Sequence, residues 1–453
     1  MQRRHLLQAA QAAAMGLGPS LLLAGATLPF SARLLAAPAA DSRFLLVFLR
    51  GGYDALSLLV PTASSFYREV RPNIGIPAAT AATATAPARP GWLPLNADWG
   101  LHPALEASVW PLVQRGQASF VPFAGSDDLS RSHFETQDSI ELGQPLNARR
   151  DFQSGFMNRL AAALEGRAAI AFTDQLPLVL RGGINVANVS LKGAPRPAGG
   201  SPLQTALAAM YRGHPLQAKV DESFQVRDQV ARQMAVEMAP APAMAPAPAA
   251  APATPANAMG MGMSGAPAGM APGAVGEMEA ANRNAITARG FELEARRMAR
   301  LMRERYALGF VDIGGWDTHV GQGAATGYLA SRLEELGRGL VGFADEIGPA
   351  AWRSTTVVVV SEFGRTVREN GNRGTDHGHG SVYWVLGGGL RSAAVVGEQQ
   401  AVEARTLLQN RDLPVLNEVH GVLGGLFARQ FGLSSGTLQR VFPGVLPRDL
   451  GLV

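Results

Sequence analysis

The stretch Arg43-Phe-Leu-Leu-Val-Phe-Leu49 is continuously apolar after its first residue and stops abruptly at Arg50-Gly51-Gly52-Tyr53-Asp54. It has the length of a strand. A strand that is apolar at every position, rather than every second one, is buried on both faces, as in a parallel sheet covered by helices. Further short apolar runs occur at 118–123, 168–172, 308–313, 355–360, 382–386 and 393–396, and helical patterns at 104–114, 152–164, Tyr328–Ile347 and Val419–Phe431 lie between several of them. Strands alternating with helices predict an α/β fold, a three-layer sandwich around a mostly parallel central sheet.

Upstream of this strand the chain reads as a leader. Arg3 and Arg4 precede His5-Leu6-Leu7 and a mildly apolar Ala/Leu/Gly-rich stretch with no acidic residue, and Ala37-Pro38-Ala39 offers small side chains for a signal peptidase. The paired arginines predict a twin-arginine-type signal peptide over 1–39, cleaved to leave Ala40, and a periplasmic or secreted protein that meets the twin-arginine translocase during export. Residues 40–453 are then a single domain. Gly16, Gly18, Pro19, Gly25 and Pro29 interrupt the apolar stretch, and no later segment approaches the ~20 apolar residues a bilayer requires, so stable membrane insertion is not expected.

The chain carries a net charge of +4, and removing Arg3, Arg4 and Arg33 leaves residues 40–453 at +1. That balance gives no electrostatic reason to expect nucleic acid or an anionic membrane as a partner. There is no cysteine, so stability in an oxidising compartment must come from packing and bound metal rather than disulfides. The segment 239–276 is almost wholly Ala, Pro, Met and Gly, and such a composition predicts a disordered loop between helical stretches at 203–238 and 277–305. Its Met259, Met261, Met263 and Met270 are thioether donors of the kind copper(I) takes, although low complexity alone accounts for them.

Chemistry concentrates where strands end. Asp54 follows the first strand; Gly314-Gly-Trp-Asp317-Thr-His319 follows the strand at 308–313; and the strand at 355–360 leads into Ser361-Glu362-Phe-Gly-Arg365-Thr and then Asp376-His377-Gly-His379. Loops at the carboxyl ends of strands line the ligand crevice of an open α/β sheet, so these groups are expected to converge. Asp54, Asp317, His319, Glu362, Asp376, His377 and His379 form a ligand set for a divalent metal: zinc if imidazole nitrogens dominate, manganese or calcium if oxygens do. Asp54 taken alone reads equally well as a turn or helix-cap residue. A second segment, 127–138, follows the strand at 118–123 and opens a helix. Ser132 there is either an N-cap with Glu135 three residues on, or, with Ser130, a nucleophile at a helix N-terminus. His133 belongs to the same segment. His102 before Pro103 reads as a turn residue, and His214 and His420 as surface or packing residues.

The run Phe48-Leu-Arg-Gly-Gly-Tyr-Asp54, the segment Arg131-Ser-His-Phe134 with Gln137-Asp138, Gly315-Trp-Asp-Thr-His319 with Gln322, and Ser361-Glu-Phe-Gly-Arg-Thr366 with Asp376-His-Gly378 together resemble the domain of unknown function 1501 family, over about residues 44–447. The resemblance implies twin-arginine export and membership of the alkaline phosphatase and sulfatase superfamily, hence an alkaline-phosphatase-like sandwich with a metal site at the carboxyl edge of its sheet. By that resemblance Asp54 is the metal-binding aspartate of the first strand, Asp317 and His319 are a later ligand pair, and Glu362 and Phe363 stand where the superfamily has Asp-His. His377 or His379 stands for the last metal histidine. No phosphatase or sulfatase nucleophile motif surrounds Ser130 or Ser132. The function so implied is a metal-dependent hydrolase of phosphate or sulfate esters, with a Ser130 or Ser132 alkoxide as attacking group and Arg365 on the ester's anionic oxygens. The alternative is a non-catalytic binding or assembly factor at the cell surface that keeps a metal-binding hydrolase fold.

Overall fold

The computed structural model describes residues 41–82, 90–165, 167–191, most of 202–228, and 282–453 apart from 284. The leader at 1–39 and the Met-containing segment at 239–276 lie outside the described residues. Pro38–Val453 forms one compact unit.

Among the described residues nine strands build its main sheet: β1 (Arg43–Leu49), β2 (Ala118–Gly125), β3 (Ala169–Ala171), β4 (Ala187–Asn188), β5 (Ile286–Thr287), β6 (Leu308–Gly314), β7 (Thr355–Ser361), β8 (Ser381–Leu386) and β9 (Asn417–Glu418). Their order is β9-β2-β8-β7-β1-β6-β3-β4, with β5 also paired to β6. β1 lies at the centre, parallel to β7 on one side and to β6 on the other, with Leu49 opposite Ser361 and Ile313. Among the described strands of this sheet, β8 alone runs against its neighbours, antiparallel to β7 and β2. The sheet is therefore mostly parallel, and the start of β8 meets the ends of β7 and β2 at one edge.

The unbroken apolar run of β1 is explained by what lies on its two faces. Leu45, Val47 and Leu49 join one core with Val311, Ile313, Val357 and Val359, while Phe44, Leu46 and Phe48 join a second with Phe310, Val358 and Val360. Successive side chains point to opposite faces of a strand, so both faces must be covered. Helices Phe291–Glu304 and Tyr328–Ile347 supply Met298, Leu333 and Leu336 to the first core, and helices Phe156–Ala163 and Val419–Phe431 supply Leu160, Val422 and Phe427 to the second. The result is a helical layer on each side of the sheet.

Some elements differ from the sequence reading. Residues 393–396 form no strand; Val395 makes only an isolated bridge to Phe120. Of the helix expected over 277–305, residues 277–281 lie outside the described residues; Ile286–Thr287 form β5, and the described helix begins at Phe291, after Gly290 at a positive φ. Of the stretch expected to be helical from 203, the described part includes the helix Pro202–Met210. His102 takes a turn position, its Nδ1 accepting the Ala104 amide at 3.0 Å, and His420 packs against Glu418.

Candidate metal centre

The ends of β1, β2, β6 and β7 and the approach to β8 bring four segments together. After β6, Asp317 and His319 turn inward; after β7 come Glu362 and Arg365; the loop before β8 carries Asp376 and His377; and β2 leads into a helix, α1 (His133–Leu142), whose first residue is His133. Gly51 makes this approach possible. Its φ is +121°, and a Cβ there would lie 2.7 Å from the Asp317 amide nitrogen. Gly51→Ala is therefore expected to push Asp317 out of place, which thermal melting and metal titration of the variant would register together.

Three imidazoles converge on one carboxylate. His133, Asp317 and His377 offer ligand atoms that all lie within 4.8 Å of one another. The His377 Nε2 lies 3.0 Å from the His133 Nε2 and 3.1 Å from the His319 Nε2. The His319 Nε2 is 2.9 Å from Asp317 Oδ1, the His377 Nε2 3.6 Å from the same oxygen, and the His133 Nε2 3.7 Å from Oδ2.

The far nitrogen of every ring is held by an acceptor. The His133 Nδ1–H donates to Glu362 Oε1 at 2.8 Å, the His319 Nδ1–H to Asp376 Oδ1 at 3.2 Å, and the His377 Nδ1–H to the Arg131 carbonyl at 3.2 Å. Arg131 sits at a φ of +55°, a backbone state uncommon for a residue with a side chain. With each Nδ1 carrying the proton, each Nε2 presents a lone pair. Lone pairs facing one another at about 3 Å repel unless a proton or cation lies among them. Histidines that give their outer N–H to a carboxylate or carbonyl while the inner nitrogens converge are what a metal site requires, and three nitrogens with one carboxylate oxygen suit zinc. The residues present fit a divalent ion.

The electrostatics agree. Burial opposes ionisation of Asp317, yet Arg365 and the three histidines hold its carboxyl far below the usual range. Burial likewise opposes the Glu362 charge, but His133 and Gln137 bring its carboxyl down to about 2. Burial lowers the His133 imidazole, and the hydrogen bonds to Asp317 and Glu362 outweigh it, raising the ring to about 9. Two carboxylates that draw a second proton onto a buried ring will equally favour a cation. The side chains of His133 and Asp317 are buried, at 2% and 5% exposure, whereas those of His319 and His377 are about a quarter exposed and form the open side.

The remaining candidates take other places. Asp54 is fully buried and its oxygens accept from Arg71 Nη1 and Nη2 (2.6 and 3.0 Å), Ser57 Oγ (2.7 Å) and Gln322 Nε2 (2.7 Å), so the structure places it in an ion pair. Glu362 and Asp376 hold histidines rather than facing the cluster. His379 is buried, which lowers its imidazole against the opposing charge of Asp412. Arg365 is buried with its donors taken by the carbonyls of Gly51, Gly52 and Thr375, by Asp317 and, at 3.4 Å, by the His319 Nε2; it ties the strand-end loops together. Ser132 caps α1, its Oγ accepting the Glu135 amide at 3.5 Å, and the Ser130 Oγ accepts the Ser132 amide at 3.2 Å.

His133 is a candidate ligand of this centre that the sequence places in the segment of the candidate nucleophiles. The strand-end rule could have found it, because α1 starts a few residues after β2 leaves the same edge of the sheet.

The family model for proteins of unknown function, DUF1501, matches residues 41–442. The chain belongs to this family. No curated protein matches it. Among solved structures, Ps i-CgsB in complex with k-i-k-neocarrahexaose is similar over 90% of this chain and 75% of its own, with 8% sequence identity and a TM-score of 0.36, a likeness that bears on neither fold nor activity.

Proposed function

We propose that this chain is an exported metal-dependent hydrolase of phosphate or sulfate esters, of alkaline-phosphatase-like type, working in the periplasm or outside the cell. The observation that carries the proposal is the cluster of His133, His319, His377 and Asp317, with every outer ring nitrogen already committed to an acceptor. These four residues would hold one zinc-like ion, and a bound ion of this kind supplies a Lewis acid for an ester oxygen. Glu362 and Asp376 keep His133 and His319 in the ligating tautomer. Arg365 holds Asp317 against the sheet edge, and its spent donors leave it little capacity to grip a substrate anion. The hydroxyls of Ser130 and Ser132 serve the turn that opens α1, which leaves water as the nucleophile.

For export, the motif at Arg3-Arg4 and the small residues Ala37-Pro38-Ala39 are the support. Among the described residues no helix is long and apolar enough to cross a membrane. An N-terminus at Ala40 in protein recovered from the periplasm or medium is the expected result, read by mass spectrometry; an intact Met1 in the cytoplasm would refute it.

The purified chain is expected to carry one equivalent of metal by elemental analysis and to turn over p-nitrophenyl phosphate or sulfate. A chelator should abolish that activity, and Ser130→Ala and Ser132→Ala should retain it. One observation favours the second reading, a non-catalytic binding or assembly factor at the cell surface: four protein ligands complete a tetrahedral zinc sphere, as structural sites do, whereas catalytic sites keep one position open. In the hydrolase reading His133, Asp317 and His377 would keep the ion while the partly exposed His319 gives up its place to water or ester; in the second reading His319 stays bound. Stoichiometric metal without turnover of either ester would sink the hydrolase reading and leave the second.

A further inference from the structure

A hydrogen-bonded chain runs from the interior of the sheet edge to His133, and its polarity is fixed at the far end. Arg50, the first residue after β1, is 1% exposed. Its Nε donates to Asp312 Oδ2 at 2.7 Å and its Nη2 to Glu141 Oε1 at 2.9 Å, and its Nη1 donates to Gln137 Oε1 at 2.9 Å. A guanidinium only donates, so the oxygen of the Gln137 amide must face it. The amide nitrogen therefore faces the other way, donating to Glu362 Oε1 at 2.9 Å. A flipped amide would set NH2 against guanidinium and oxygen against carboxylate.

Glu362 Oε1 also accepts the Gly51 amide at 2.8 Å and the His133 Nδ1–H at 2.8 Å, while its Oε2 accepts the Ser361 hydroxyl at 2.9 Å. An ionised carboxylate held by these donors accepts and cannot donate, so the proton of His133 stays on Nδ1. His133, Gln137 and Glu141 are spaced by four on α1 and lie on one face of it. All three are buried, which explains why that face of the helix is polar although it points inward.

We infer that Arg50 sets the tautomer of His133 through Gln137 and Glu362, and that this relay presents the His133 Nε2 lone pair to the metal. Gln137 is then a positioning residue for the centre, with Arg50 as the anchor that gives the relay its direction. This inference rests on the metal-binding reading above and does not depend on which reaction the centre performs.

Gln137→Met preserves the length of the side chain and removes its bonds to Arg50 and Glu362. It is expected to weaken zinc binding about 10- to 100-fold, the usual consequence of losing an outer partner of a metal-bound histidine. The affinity is measured by competition with a chromophoric chelator. The visible absorption bands of the cobalt(II)-loaded variant should shift, and the Nδ1–H proton resonance of His133 in the zinc-loaded protein should move or vanish. Gln137→Glu, close to isosteric, keeps an acceptor for Arg50 but replaces the donor to Glu362, and it should give the same three changes should the Met variant fold poorly. A folded variant with the parent's zinc affinity and cobalt spectrum would overturn the relay while the parent's metal binding stood. A parent that takes up neither zinc nor cobalt would overturn the metal-binding reading, and the relay with it.

Discussion

His377→Ala is expected to fold as stably as the parent, within about 1 kcal/mol, and to lose roughly a hundredfold or more in zinc affinity. The side chain of His377 is about a quarter exposed, and its structural bond, to the Arg131 carbonyl, is a single contact at 3.2 Å. Little of the fold depends on it. Its Nε2 nonetheless stands between those of His133 and His319, at 3.0 and 3.1 Å. Four-ligand zinc sites bind with about 10–16 kcal/mol at neutral pH, so one ligand accounts for about 3 kcal/mol, or about two orders of magnitude in Kd. Thermal melting of the metal-free protein and chelator competition read the two effects separately. Asp317→Ala makes the contrast: it should lose the metal and also destabilise the fold by about 3–5 kcal/mol, because Arg365 is buried and would keep its charge without its carboxylate. A His377→Ala variant that still binds zinc like the parent would remove that ring from the centre.

The sheet was largely legible because its strands are buried on both faces, so the apolar runs of β1, β6 and β7 stand out without knowledge of their neighbours. The antiparallel β8 reads like any other buried strand, since direction leaves no mark on composition. Short elements such as β5 and β9 owe their form to pairing, with Asn417 opposite Ala124 for example, and a two-residue segment has no periodicity to detect. The centre was legible in part for the same kind of reason. The strand-end position brought out Asp317, His319 and His377, but it cannot say whether a carboxylate there faces the cluster, holds one of its histidines or pairs with an arginine. Glu362 and Asp376 do the second, and Asp54 does the third. The partner that decides for Asp54 is Arg71, just past a short helix that ends at Val70, and no pattern in the chain announces that pairing.

Arg71→Met is expected to destabilise the protein by about 3–5 kcal/mol at pH 7, the usual result of stranding one member of a buried pair. Arg71 and Asp54 are both about 1% exposed and share two hydrogen bonds. Burial alone would raise the Asp54 carboxyl; Arg71, Ser57 and Gln322 outweigh it and hold it below its ordinary value. A carboxyl depressed in the folded state stabilises the fold above its unfolded pKa of about 4, and that contribution is lost as the pH falls through the lower folded value. In Arg71→Met the sign reverses, because burial is then the leading influence and the folded carboxyl lies above about 4. The variant should therefore gain stability on acidification from pH 7 toward 5, whereas the parent should hold its contribution until about pH 4. Urea unfolding at pH 7, 5 and 4 would show the gap narrowing. Asp54→Leu combined with Arg71→Met, which removes both charges, should recover most of the loss. Asp54→Asn should still bind one equivalent of zinc. A folded Asp54→Asn protein without metal would make this residue a ligand after all, and would refute the division of labour between ion pair and metal centre.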